Sequence, residues 1–330
     1  MIKTWMTPWL LMAVPFLGAT LSLLLRTSLQ RMKTSALLTT VASMLVVIGT
    51  PWALGDTLAG VPFLCLLPLT AFLSLLGQPL HRDNTSAWTT TLVLLGLGLG
   101  ILTAQAPAHD VMLLILPGLL CILLYRYQSG ATPETWRGLS AYGLSMVSAA
   151  LALVLPTPAS TVALLVTCAT LLPLLPVHSG FIATLTGLPG NLPAFLVFLL
   201  PTVGFHTLLT LLPNLTGTTL HTVAILALAG AVYGSLRALI QARPLPRLSY
   251  AALAFFGLLW WYVADTGTAP MPATVYLRAV LLAACAAAGV AGALVARRLL
   301  LDEVVVVEAG RGDRLLLRQP RLGQLVLRLA

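Results

Sequence analysis

The residues from Thr170 to Leu209, TLLPLLPVHSGFIATLTGLPGNLPAFLVFLLPTVGFHTLL, decide how this chain is read. They hold five prolines, Pro173, Pro176, Pro189, Pro193 and Pro201, and two of the chain's five histidines, His178 and His206, within otherwise apolar helical sequence. Each proline removes a backbone donor and disturbs the helical turn before it. A helix broken in this way survives at membrane depth only where the freed carbonyls face protein or a wet cavity, and such breaks often bind ions or protons.

Working outward, apolar runs of similar length recur on both sides of this stretch. Expected spans cover residues 7–25, 35–54, 61–77, 88–106, 111–125, 139–155, 161–177, 192–213, 220–241, 248–264 and 275–296. Each is long enough to cross roughly 30 Å of hydrocarbon as a helix, and the third and fifth are the shortest and are interrupted by proline. Composition agrees: 58% of the 330 residues are hydrophobic, 8% are charged and the mean hydropathy is +0.97. Soluble domains carry about a quarter charged residues, so water cannot be the solvent for most of this surface. The fold class is therefore an all-α polytopic membrane protein with about eleven spans. No basic region precedes the first apolar run, which argues against a signal peptide.

The net charge of +9 would suit a nucleic-acid partner, but its distribution points to a membrane. With the N-terminus outside, Arg26, Arg31, Lys33, Arg82, Arg126, Arg137, Arg237, Arg243, Arg247, Arg297 and Arg298 all fall in inner loops, and only Lys3 and Arg278 fall outside. That is the positive-inside asymmetry, with the C-terminus in the cytoplasm of a cell whose inner membrane the chain would cross. Residues 1–298 read as one transmembrane domain. Residues 299–330 form a short cytoplasmic tail, either hairpin-like or a basic segment near anionic lipid.

Few side chains in the spans could carry chemistry. Imidazole changes charge near neutral pH, so His178 and His206 could relay protons, or each could be a neutral ring bonded to a carbonyl freed by proline. Arg237 lies inside the ninth span, as a buried charge needing a partner or as a side chain reaching back to the inner surface. Asp110 and Glu134 begin spans, where a carboxylate complements the helix dipole; Asp110 could instead mark an outer proton exit. Cys65, Cys121, Cys168 and Cys285 stand singly, with neither disulfide nor metal spacing. Nucleotide, zinc and nucleophile-elbow motifs are absent, so no active site, cofactor or metal is expected. Gly96, Gly98 and Gly100 form a small-residue surface suited to close helix approach.

Four stretches resemble the antiporter-like membrane subunits of respiratory complex I, Mrp-type cation/proton antiporters and membrane-bound hydrogenases, above all the quinone-proximal subunit N. AHDVMLLILPGLLCILLY is similar to the family's N-D-L-L…L-E-L-x-S-L-x-L-Y helix, and ATPETWRGLSAYGLSMVSAALAL to the amphipathic lead-in and small-residue helix after it, with Glu134 and Ser148 in place. PLLPVHSGF…LPGNLPAFLVFLLPTVGF is similar to the P-x-x-P-x-H-x-W-L-P-D-A…A-P-T…K-x-x-G-F core. LRALIQARPLPRLSYAALAFFG is similar to A-L-x-Q-x-D-x-K-R-L-L-A-Y-S-S-I-x-H-x-G, where Ala238, Gln241, Tyr250 and Gly257 match without a gap. The resemblance covers roughly residues 108–257, an antiporter-like core.

It implies the family's broken-helix bundle and membership of a redox-driven or antiporter complex with other membrane subunits. It also implies a charged proton relay, which this chain lacks. The family's fifth-helix glutamate falls near Pro117 or Gly118, and its lysines fall on Leu171, Thr202 and Leu245. Its tenth-helix histidine falls on Phe255. Leucine cannot hold a proton. The reading that follows is an accessory, degenerate subunit with a structural role and any proton path rerouted through His178, Thr202 and His206. The alternatives are a stand-alone proton-coupled transporter, or a membrane anchor whose tail recruits a soluble partner.

Overall fold

A computed structural model describes residues 2–54, 61–78, 80–81, 84–127, 133–189 and 192–266. Among them lie eleven α-helices and no strand. They are α1 (Ile2–Leu24), α2 (Leu29–Leu54), α3 (Val61–Leu76), α4 (Thr85–Thr103), α5 (Ala108–Tyr127), α6 (Pro133–Val154), α7 (Ala159–Leu171), α8 (Ser179–Gly187), α9 (Leu192–Leu211), α10 (Gly217–Ile240) and α11 (Pro244–Thr266). Seven are long and apolar enough to cross a bilayer unaided, with α1, α3 and α7 contributing shorter apolar segments. The chain is a multi-pass membrane protein.

Ten of the expected spans are present. The short third and fifth are the helices α3 and α5, which stay continuous through Pro68 and Pro117. Only the seventh is broken. Its helix α7 stops at Leu171, the chain runs through Pro173 and Pro176, and α8 then begins at Ser179. Two prolines three residues apart remove two donors from consecutive turns, which a single proline inside α3 or α5 does not do; the break expected at Pro201 is likewise absent, since α9 runs on through it. The eleventh expected span and the tail lie outside the described residues.

Helix α9 is the hub. Nearly every residue from Leu192 to Leu208 is buried, including Phe195, Phe198, Pro201 and Phe205. A helix that is apolar all round suits either lipid or a protein core, and α9 is enclosed by protein. Here α3 and α4 pack on it from one half of the chain, and α7 and α8 from the other. Helices α10 and α11 form a hairpin that leans on α8. The outer helices expose large apolar side chains, among them Leu17, Leu38, Ile122, Val154, Leu239 and Ile240. Contiguous apolar surface of this extent belongs against lipid or a partner subunit.

The α4 glycines, two residues apart, face three different neighbours. A Cβ at Gly96 would stand 3.2 Å from Phe16 of α1, one at Gly98 would overlap Leu199 of α9, and one at Gly100 would lie 2.5 Å from the sulfur of Met12. Close approach of α4 to α1 and α9 therefore depends on those missing side chains.

The helix ends sort by charge. Lys33 at the start of α2 donates to Leu76 O (3.2 Å) and Gln78 O beyond the end of α3, and Tyr127 at the end of α5 bonds Ser86 at the start of α4. Ser179 at the start of α8 donates to Arg137 O at the start of α6 (2.9 Å). These pairings, with the cavity that Arg137 shares with Arg237 and Arg243, place Arg31, Lys33, Arg126, Arg137, Arg237, Arg243 and Arg247 at one end of the bundle, the basic end.

Candidate functional site

The helix break is closed by specific partners. Leu172 N donates to Cys168 O (2.8 Å) and Leu174 N to Ala169 O (3.0 Å), so the last turn of α7 keeps its carbonyls occupied. The indole Nε1 of Trp260, on α11, donates to Leu172 O (2.9 Å). Cys168 Sγ lies 2.8 Å from Gly204 O of α9. A Cβ on Gly204 would stand 2.6 Å from Leu172 N, so α9 presses its bare backbone against the break. Freed backbone groups here are satisfied by protein.

At the positions where the resembled family carries its relay, apolar packing takes over. Leu171 is fully buried in the main core, with Leu172 and Leu174 beside it. Pro117 is buried in α5, and Gly118 faces the sulfur of Met146 on α6. Leu245 packs partly buried against the same core, whereas Phe255 is 38% exposed on α11. Thr202 is buried in α9, one turn below His206, so the two share a helix face.

The two candidate histidines sit at opposite ends of the bundle. Half-buried His206, near the far end of α9, stands 6.1 Å from His109, ring centroid to centroid. His109 Nδ1 in turn lies 2.9 Å from the carboxylate of Asp110, and its Nε2 is buried without a hydrogen-bond partner among the described residues. A carboxylate and two imidazoles thus meet at the first turn of α5. His178, at the start of α8, is at the basic end, edge-on to Tyr233 at 5.5 Å. Tyr233 meets Tyr250 at 6.1 Å, and the Arg237 guanidinium lies 5.4 Å from the Tyr250 ring centre. Arg237 is exposed in the last turn of α10, against Tyr250 at the basic end, and is not the buried charge that its place in the ninth span allowed.

Between those ends runs a stripe of hydroxyls. On α6, Thr135, Tyr142, Ser145 and Ser148 are buried at spacings that keep them on one face. Tyr142 Oη bonds Thr184 Oγ1 of α8 (2.7 Å), and Ser148 Oγ bonds Thr167 Oγ1 of α7 (3.0 Å). Thr167 also reaches Ser145 O (3.2 Å), while Ser145 Oγ is buried without a partner among the described residues. Thr184 and Thr167 lie near carbonyls of their own helices, Gly180 O and Ala163 O, at 2.9 and 3.4 Å. Hydroxyls in this arrangement join helices and could pass a proton along with water, but cannot store one.

Sequence reasoning placed His178, Thr202 and His206 as a series and missed His109 and the α6 stripe. The stripe had a signal, since Tyr142, Ser145 and Ser148 repeat every third residue. His109 had none, because nothing in the sequence links it to His206 on a helix far along the chain.

No family model matches the chain, and no curated protein matches it. Solved structures do. A chain of respiratory complex I from Thermus thermophilus with bound NADH is similar with a TM-score of 0.70 at 18% identity, over 89% of this chain and 71% of that one. A chain of respiratory complex I from Thermus thermophilus with bound aureothin gives 0.62 at 19% identity, over 84% and 69%. The fold is that of a complex I chain, and at this identity the likeness concerns the fold alone.

Proposed function

We propose that this chain is an accessory, degenerate antiporter-like subunit of a larger complex I-like, Mrp-like or hydrogenase-like assembly in the cytoplasmic membrane. Its role is structural: it supplies a rigid broken-helix bundle against which other membrane subunits pack. The observation that carries this is the leucine-filled break. Leu171 and Leu172 are fully buried at the place where the resembled family holds a switchable lysine, and the backbone there is bonded to Trp260 and Cys168. A site packed in this way disfavours a charge, and among the described residues no carboxylate lines it.

Any proton path would run from His178 at the basic end, along the buried hydroxyls or Thr202, to His206 beside His109 and Asp110. Only the ends of that route can hold a proton. Redox chemistry would belong to partner subunits. The proteoliposome experiment is direct: the chain alone, reconstituted under an imposed membrane potential, should pass protons no faster than protein-free vesicles. A flux well above that background, abolished by H206A, would replace the structural reading with a conducting one.

A further inference from the structure

We infer that the basic end of the bundle carries a binding site for a phosphoryl anion, occupied by the headgroup of an anionic phospholipid. A cavity of about 740 Å³ opens between the starts of α6, α8 and α11 and the end of α10. Arg137, Arg237 and Arg243 line it, together with His178, Tyr233 and Tyr250, against one carboxylate among the described residues, Glu134. Among the described residues none of the three arginines has a carboxylate within 4 Å, and Arg137 and Glu134, although one turn apart, are not paired. The cavity is therefore rich in positive charge and short of negative charge to balance it.

Topology accounts for arginines at this end of the bundle, but not for their meeting around one cavity. Nor do the helix dipoles explain them. Arg237 suits the negative end of α10, but Arg137 sits near the first turn of α6 and Arg243 just before α11, where a positive charge opposes the dipole. A bound anion compensates both the dipoles and the arginines. The start of α8 adds a positive dipole end on the same side, whereas Pro133, Pro244 and Pro246 leave α6 and α11 few first-turn N–H groups, so the arginines supply most of the attraction.

The wall is built as well as charged. His178, Tyr233 and Tyr250 form a continuous edge-on series, and the Arg237 guanidinium lies over the Tyr250 ring at its end. The volume falls in the range of small-molecule sites. Beside it, Leu239 and Ile240 are 76% and 74% exposed on α10, an apolar flank for acyl chains, and Trp136 is exposed on α6 next to Arg137. Basic pockets between helices with an apolar flank are suited to lipid phosphates. Free phosphate shares the headgroup chemistry but has no use for that flank.

The test uses the full chain in detergent with equal amounts of phosphatidylglycerol and phosphatidylcholine of identical acyl chains, read by native mass spectrometry. Wild type should retain phosphatidylglycerol preferentially. Each of R137Q, R237Q and R243Q should lower that retention about five-fold, and R31Q, outside the cavity, should leave it unchanged. Displacement by excess inorganic phosphate assigns the binding to the phosphoryl group, and resistance to it assigns the binding to the intact lipid. Equal retention of the two lipids by wild type, or undiminished preference in the folded single variants, overturns the proposal. None of these readouts depends on whether the chain belongs to a larger assembly.

Discussion

Replacing Gly204 with alanine tests the close packing at the break. The new Cβ would stand 2.6 Å from Leu172 N, 2.8 Å from Leu172 Cβ and 3.2 Å from Leu171 C. Two of those three atoms are backbone, so no side-chain rotation relieves the overlap. Either α9 moves away from α7, or the connection after Leu171 shifts and strains the Trp260 to Leu172 bond. Overpacking of this kind costs about 1–3 kcal/mol, which lowers the folded-to-unfolded ratio about 5- to 150-fold. Gly143 on α6 is the control, because a Cβ there meets nothing within 4 Å. Equilibrium unfolding of the purified chain in mixed micelles reads both variants. G204A should be clearly destabilised while G143A stays at or slightly above wild type. G204A combined with W260F should lose less than the sum of the two, since both act on Leu172. If G204A and G143A prove indistinguishable, α9 does not press on the break and the account of a sealed, leucine-filled core fails.

Other expectations follow from single contacts. L171K should destabilise the chain by at least about 2.5–3.5 kcal/mol, the cost of a charge at membrane depth, whereas L171M should cost less than about 1.5 kcal/mol; thermal unfolding in detergent distinguishes them, and a tolerated lysine would mean the site can take up water. W260F leaves Leu172 O without its indole donor and should cost about 1–3 kcal/mol, more than Y142F at about 0.5–1.5, because Thr184 keeps its own Gly180 carbonyl. H109F removes the link between Asp110 and His206. By the structural reading it leaves co-purifying partners unchanged in an affinity pull-down, and loss of those partners would give the cluster an assembly role.

The fold was largely legible because apolar length and proline spacing speak for themselves. Pro173 and Pro176 marked the broken span, whereas Pro201, in the same proline-rich stretch, sits inside a continuous α9 whose central place shows only in the packing. The second half of the break was harder to see. The expected seventh span ended at Val177, whereas the structure continues it through α8, whose start at Ser179 is fixed by Arg137 on another helix. The site was less legible still. Arg137, Arg237 and Arg243 read as topological markers one at a time, and only tertiary packing places them around a shared cavity. Likewise His109 read as an ordinary residue before Asp110, since its neighbour His206 arrives from a distant segment. The α6 hydroxyls were visible as a periodicity, but their partners on α7 and α8 depend on how the broken helix folds back.

The most direct test of the central claim is isolation of the tagged full-length chain from its own membranes in mild detergent, followed by mass spectrometry of what comes with it. The account predicts a stoichiometric set of other membrane subunits together with redox or antiporter components. Recovery of the chain alone, as a stable and self-sufficient monomer, would contradict it.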